Sequence, residues 1–220
     1  MSTKNHAVGV VVCASAGILL ASSATPANAA EIVGLTWFSG VGSVAGETIV
    51  PPVDPNNDDV VGLSPNQIFI LQKNYQAIGP VDLVFHLIDS GGTTEYAFIE
   101  GVSNGTGIDW NGYRLELGFG VGDDFVKSTS GDGLSFDAPD YNSPFTFPAF
   151  STVSVTEHDV TASGGIIPAF AYASGIVFHI DVPDGISSFT LRQSPLPVPA
   201  PGTGLVGALA LLVATPRRRR

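Results

Sequence analysis

The chain has 220 residues, of which 44% are hydrophobic and only 13% are charged, and its formal net charge is −11 at pH 7. All 20 acidic residues lie within residues 30–194, where only four basic side chains oppose them: Lys73, Arg114, Lys127 and Arg192. This imbalance argues against nucleic acid and anionic membrane surfaces as partners of that region, because both are bound through cationic contacts.

The first 29 residues have the pattern of a secretory signal peptide. After a weakly basic start, residues 7–21 are apolar apart from one serine, and Ala27-Asn28-Ala29 is a small-x-small cleavage site. We expect a signal helix that signal peptidase removes after Ala29, although a retained membrane helix is an alternative. Cys13, the only cysteine, lies inside this peptide, so we expect a mature chain without thiols or disulfides.

Residues 30–194 alternate with a period of two, which is the pattern of β-strands with one buried face. The runs 81–88, 113–119 and 176–182 show it most clearly. Further strands are predicted at 32–38, 46–50, 67–72, 94–102, 151–155 and 186–192. Turn-forming pairs separate them, at Gly79-Pro80, Gly91-Gly92, Asn111-Gly112, Gly164-Gly165 and Asp184-Gly185. The segment is therefore predicted to be one mainly-β domain, an antiparallel β-sandwich of the jelly-roll type, without long helices.

The same alternation predicts which side chains face the core. We expect five apolar side chains to be buried, Phe85, Leu115, Leu117, Phe178 and Ile180, and three acidic ones to be exposed, Asp82, Glu116 and Asp181. The stretch 128–148 is rich in glycine and proline and predicts a large irregular surface loop. On a β scaffold such a loop is where function would be placed.

Residues 96–120 contain a strand, the turn sequence Thr106-Gly107-Ile108-Asp109-Trp110, and a second strand that ends in Leu117-Gly118-Phe119-Gly120. This run resembles a segment that recurs in exported bacterial β-domains. The resemblance implies kinship of fold and assigns no catalytic role.

Two polar clusters could carry chemistry. His179 and Asp181 share one face of a strand and could supply two metal ligands. The sequence offers no third ligand nearby. We therefore expect this strand face to be solvated. Glu157-His158-Asp159 has the groups of an acid–base cluster, yet neighbours on a strand point to opposite faces, so we expect a polar turn. No nucleophile elbow, phosphate loop or dinucleotide motif is present. We therefore predict no catalytic, cofactor-binding or metal-binding residues, and a protein that is not an enzyme.

Two further residue sets have a ligand-binding alternative. Oxygen-rich loops could hold Ca²⁺, although we expect solvated turns and no cofactor; they are Asp54–Asp59, Gly122-Asp123-Asp124 and Gly131-Asp132-Gly133, with Asp137 and Asp140. Four aromatic residues could stack on sugars, although we expect most of them to be core or turn residues; they are Trp37, Trp110, Tyr113 and Tyr141.

Residues 195–220 combine a proline-rich hinge, an uncharged apolar run from Gly202 to Thr215, and a basic cluster formed by Arg217, Arg218, Arg219 and Arg220. From about residue 197 this tail resembles the PEP-CTERM sorting domain of exported bacterial proteins. Pro199-Ala200-Pro201 occupies the motif position, with Ala200 where the family has glutamate. The apolar run is shorter than the ~20 residues that span a bilayer, which favours a transient membrane helix, with a weak permanent anchor as the alternative. The arginines resist translocation.

The resemblance implies that an exosortase-like membrane enzyme processes the chain near Pro199–Pro201, after the export machinery and signal peptidase have acted. We expect transient residence in the inner membrane and then a place on the cell surface or in the extracellular matrix. The predicted function is that of an exported structural or adhesive matrix protein. The alternative is a carbohydrate-binding module that contacts matrix polysaccharide, and a secreted hydrolase is less favoured.

Overall fold

The computed structural model describes residues 31–50, 67–88, 93–138, 141, 144–183 and 185–199. Within these ranges the chain forms eleven strands: β1 Glu31–Phe38, β2 Gly42–Val50, β3 Gln67–Tyr75, β4 Val81–Ile88, β5 Thr93–Asn104, β6 Trp110–Phe119, β7 Val126–Lys127, β8 Thr152–Val155, β9 Asp159–Ile167, β10 Tyr172–Pro183 and β11 Ser188–Pro197. A 3₁₀ turn at Gly122–Asp124 is the one helical element of the described part, which confirms the mainly-β prediction. The predicted signal helix and apolar C-terminal helix lie outside the described residues.

The strands form two sheets. The first has seven strands in the order β1-β4-β11-β6-β9-β8, with the short β7 also paired to β6, and the second has four in the order β10-β5-β3-β2. Neighbouring strands are antiparallel except β3 and β5, which run parallel with Leu71 opposite Glu100 and Lys73 opposite Val102.

One hydrophobic core lies between the two sheets. The rings of Phe85 on β4 and Phe98 on β5 meet edge to face with centroids 5.4 Å apart, which joins the first sheet to the second. Phe98 also stacks on Phe178 of β10 at 5.0 Å. All five side chains that the alternation assigned to the core are fully buried, so that prediction is confirmed. The arrangement resembles a β-sandwich.

The prediction of three exposed acidic side chains is wrong, although the strand faces were assigned correctly. Asp82 and Asp181 are buried, and Glu116 is partly covered. Asp82 does point away from the core, but residues 120–125 fold over it, and the Gly122 amide donates to its Oδ2 at 2.7 Å. Irregular segments therefore cover polar faces that the alternation assigned to solvent.

The described residues of 128–148 are irregular, as predicted, and together with residues 149 and 150 they form a segment, 128–150, that is not simply a surface loop. Leu134, Phe136 and Phe147 are buried in the core. Isolated bridges pair this segment with the outer edge of β10, at Ser135–Asp181 and Thr146–Val177. Because its apolar side chains fill the side of the core, the segment is part of the folded scaffold.

Two of the predicted turns lie inside strands. Asn111-Gly112 belongs to β6, and Gly164-Gly165 belongs to β9, a strand that the sequence patterns did not indicate. A Cβ atom on Gly165 would lie 1.9 Å from the carbonyl oxygen of Ala149. Glycine is needed there for a close backbone approach rather than for a turn.

Candidate functional site

The sorting residues fall largely outside the described residues, which is the case for Ala29, Ala200, Pro201 and Arg217–Arg220. Pro199 is the last described residue of the tail. The Val198 amide donates to the carbonyl oxygen of Asp109 at 3.0 Å, and both Val198 and Pro199 are exposed. The hinge therefore leaves the folded domain beside the turn that joins β5 to β6.

His179 and Asp181 do share a strand face, but the expectation of a solvated face is wrong, because both are buried. The ring nitrogen Nδ1 of His179 contacts Oε1 of Glu95, and the Asp181 backbone pairs with Ser135. No group of three or more potential metal-ligating side chains is found among the residues that the structure describes.

Glu157-His158-Asp159 spans the turn between β8 and β9, and its groups do not converge on one point. Asp159 faces Arg114, whose guanidinium donates at 2.8 Å, and it also contacts Lys127. Partial burial alone would raise the pKa of Asp159, but the hydrogen bonds from Lys127 and Arg114 outweigh it and lower the pKa. Asp159 is thus a structural anion, and His158 Nε2 lies 3.8 Å from Glu157 Oε1, too far for a hydrogen bond.

The oxygen-rich loops that the structure describes are mostly engaged in local contacts. Asp132 accepts hydrogen bonds from the Ser128 hydroxyl at 2.6 Å and from the Thr129 amide at 2.9 Å. Asp123 and Asp124 are exposed in the 3₁₀ turn, and Asp137 is buried. The stretch 54–59 and Asp140 lie outside the described residues.

The four aromatic residues do not form a sugar-stacking platform. Trp110 and Tyr113 are fully buried and pack against Tyr75. Trp37 and Tyr141 are exposed, but they belong to β1 and to the 128–150 segment respectively.

A different aromatic side chain occupies an open groove of about 300 Å³ on the outer face of the second sheet. Tyr172 of β10, which is 56% exposed, lies across Gly101 of β5. A Cβ atom on Gly101 would lie 2.2 Å from the Tyr172 hydroxyl oxygen, so with any other residue at 101 the end of the Tyr172 side chain would have to move. The other residues that line this groove are Gly46, Glu47, Thr48, Leu71, Gln72, Ile99, Glu100, Ser174 and Gly175.

An ion pair is buried on the inner side of the same two strands. The alternation of β3 places Lys73 between Leu71 and Tyr75 on the core face, and that of β5 places Glu100 on the core face as well. Lys73 Nζ contacts Glu100 Oε2 directly, and both side chains are completely excluded from solvent. A buried ion pair is costly to desolvate, which makes this pair the most unusual chemical feature of the described core.

A chain of hydrogen bonds links this pair to the opposite sheet. The Gln193 amide donates to Glu100 Oε1 at 2.8 Å, and the Tyr113 hydroxyl donates to Gln193 Oε1 at 2.8 Å. The hydroxyl groups of Tyr75 and Tyr113 are also 2.8 Å apart. Glu100 Oε1 and Gln193 Oε1 are thereby satisfied.

Burial dominates the electrostatics of this network. It lowers the pKa of Lys73, and the attraction of Glu100 opposes this only in part. It raises the pKa of Tyr75 and of Tyr113, so both hydroxyls stay protonated and can donate. Apart from each other, Lys73 Nζ and Glu100 Oε2 have no hydrogen-bond partner in the described part of the chain.

The sequence analysis counted Lys73 and Glu100 only as charges. The signal that could have identified them is their place in the alternation. Glu100 has the same strand parity as Tyr96, Phe98 and Val102, which predicts an inward carboxylate. Lys73 lies one residue beyond the predicted end of its strand, so the alternation did not predict that its side chain points into the core.

Comparison with protein-family models, with curated proteins and with solved structures gives no match for this chain. Among the residues that the structure describes, no helix has the length and apolar character needed to cross a membrane.

Proposed function

We propose that this chain is an exported protein of the cell surface or extracellular matrix, with a structural or adhesive role, delivered by a C-terminal exosortase-type sorting signal. The observation that carries the proposal is the order of elements after residue 194. A proline-rich hinge is followed by an uncharged apolar run and then by four arginines. This order places a marginal membrane segment next to a charged group that resists translocation.

The fold is consistent with this proposal. β11 ends at Pro197, and the next residues, Val198 and Pro199, are exposed, so the proposed processing region begins outside the strand pairing. We further propose that the two sheets form a jelly-roll-like sandwich. The shared core between them supports this assignment, and the parallel β3–β5 pair is a local departure from an all-antiparallel jelly roll.

Replacement of the four arginines tests the sorting proposal. With Arg217–Arg220 changed to glutamine, the stop to translocation is lost, and we expect unprocessed chain with its tail attached to appear outside the cell. Deletion of residues 199–220 is the matched control, which should release tail-less protein. Mass spectrometry of secreted and membrane fractions gives the result. If the variant without the four tail arginines is processed and located like the wild type, the proposal is overturned.

A second candidate function is binding of matrix polysaccharide in the groove on the second sheet. The observation that favours it is the exposed Tyr172 side chain, whose hydroxyl end lies over Gly101, with Gln72, Glu47 and Ser174 also lining the groove. An aromatic face stacks on a sugar ring, and amide, carboxylate and hydroxyl groups can bond the sugar hydroxyls.

Tyr172→Ala tests this second candidate. The stacking surface is lost, so retention of the protein on immobilised matrix polysaccharide should fall at least tenfold, which corresponds to about 1.4 kcal/mol. Phe170→Ala is the matched control, because Phe170 is 81% exposed on the neighbouring turn but does not line the groove. Equal retention of the Tyr172 variant and the wild type would exclude the groove as the binding site.

A further inference from the structure

We propose that Lys73 and Glu100 condense into an intramolecular amide, an isopeptide bond that covalently joins β3 to β5 inside the core. The proposal goes beyond the proposed function and does not depend on it. It rests on the contact between an amine and a carboxyl group that are both enclosed in a dry core.

The fold supplies the proximity that the reaction needs. β3 and β5 are hydrogen-bonded neighbours, and their parallel register pairs Glu100 with Leu71, which lies two residues before Lys73 on the same face of β3. Lys73 Nζ contacts the carboxyl group directly, with both side chains fully buried. Reacting groups held in this way reach effective molarities of roughly 10⁵–10⁸ M, and the water that would oppose condensation is excluded.

The dry surroundings also favour the reactive protonation states. An amine attacks only when it is neutral, and burial lowers the pKa of Lys73 in that direction. Transfer of one proton from the ammonium group to the Glu100 carboxylate converts the ion pair into a neutral amine and a neutral acid. Burial favours this neutral pair, because it removes two charges from the core.

The chemical step balances without a further reagent. Lys73 Nζ attacks Cδ of Glu100 and forms the C–N bond, and a proton passes from the nitrogen to Oε2. The bond between Cδ and Oε2 then breaks, and Oε2 leaves as water with two protons. The net change is one amine and one carboxylic acid converted to one amide and one water.

Gln193 is the catalytic residue of this proposal, because its amide donates to Glu100 Oε1 at 2.8 Å. Oε1 carries the negative charge that develops during the attack and becomes the carbonyl oxygen of the product. A fixed donor at this oxygen stabilises that charge. Tyr113 is a positioning residue, since its hydroxyl holds the Gln193 amide through Oε1.

The product accounts for polar atoms that the ion pair leaves unsatisfied. An ammonium group has three N–H donors, but Lys73 Nζ contacts only Glu100 in the described part of the chain. The amide needs fewer partners, because it has one N–H and one carbonyl oxygen, and Gln193 already bonds that oxygen. The bond would also give a covalent cross-link to a predicted mature chain that has no cysteine.

Mass spectrometry of the purified full chain, or of its exported form, tests the proposal. We expect a mass that is one water below that of the sequence between its measured termini. Trypsin should fail to cleave after Lys73. A protease that cleaves before aspartate should release a linked pair of peptides, 59–81 and 89–108, from the monomer. The full sequence mass, with both peptides free, would overturn the proposal, as would a water loss located elsewhere.

Two variants and a control sharpen this test. Lys73→Met removes the amine and should restore the full sequence mass. Gln193→Leu keeps both reacting groups and should slow the appearance of the linked pair roughly 10²-fold, the usual effect of losing one such donor. Lys127→Met is the control, because Lys127 is also ion-paired but is 40% exposed, and the cross-link should persist in it. The wild-type peptides decide the proposal whether or not these variants fold.

Discussion

Truncation of Phe178 to alanine should be among the most damaging single changes in the core. The ring is fully buried, stacks on Phe98 with centroids 5.0 Å apart, and meets Phe136 edge to face at 6.2 Å. β5 and the 128–150 segment therefore both pack on this one side chain of β10. The resulting cavity is bordered by separately anchored parts of the fold, so it should collapse little. We expect a loss of about 4 kcal/mol in the free energy of unfolding, within the ~3–5 kcal/mol typical of such changes.

Urea unfolding followed by circular dichroism measures this loss, and the melting temperature should fall by roughly 10 °C. Phe170→Ala is the matched control, since that ring is 81% exposed and its removal should change stability by less than about 0.5 kcal/mol. A loss below about 1 kcal/mol for Phe178→Ala would refute the assignment of faces on β10, because a slip of one residue exchanges the two faces.

Two further predictions concern polar groups on the outer face of the first sheet. Asp82→Ala removes the carboxylate that accepts hydrogen bonds from Arg192 Nε at 2.7 Å and from the Gly122 amide. Its free energy of unfolding should therefore fall by about 3–5 kcal/mol in a urea titration. Asp123→Ala is the control, because Asp123 is exposed and its replacement should have little effect in the same titration. The lowered pKa of Asp159 means that its ion pairs stabilise the fold above the ordinary aspartate pKa and are lost as the pH falls through the lowered value. An Asp159→Asn variant should therefore lose less stability on acidification than the wild type, and parallel acid-unfolding curves would contradict this.

Local alternation predicted most of the strands and the five core side chains that were named from it. Leu115, Leu117 and Phe85 followed directly from period-two patterns, because a strand with one buried face must alternate. The same patterns could not show that residues 120–125 would cover Asp82. That covering depends on contacts between segments far apart in the chain, which no local window contains.

The candidate sites were less predictable than the fold for the same reason. The Tyr172 ring lies over Gly101 only through the pairing of β10 with β5, and the sequence does not state which strands pair. Likewise, Lys73 and Glu100 meet because β3 and β5 run parallel, whereas an antiparallel arrangement was predicted. The strand parity of Glu100 predicted an inward carboxylate, but not its partner.

The groove and the side chains of the buried pair lie on opposite sides of the same two strands. The side chains of Gln72 and Ile99 are exposed on the groove side, whereas those of Lys73 and Glu100 are buried in the core. An amide between β3 and β5 would fix the spacing of the strands that carry the floor of the groove. In the proposed role, in which a matrix protein binds polysaccharide through this groove, such a bond would prevent the two strands from separating.

The most direct test of the central claim, export followed by processing of the tail, is the mass of the wild-type protein recovered from outside the cell, with both terminal peptides sequenced. We expect a chain that begins at Ala30 and ends upstream of Arg217, near Pro199–Pro201. Protein recovered outside the cell with Met1 present would contradict signal cleavage. Protein recovered there with Arg220 intact would contradict the sorting function of the tail.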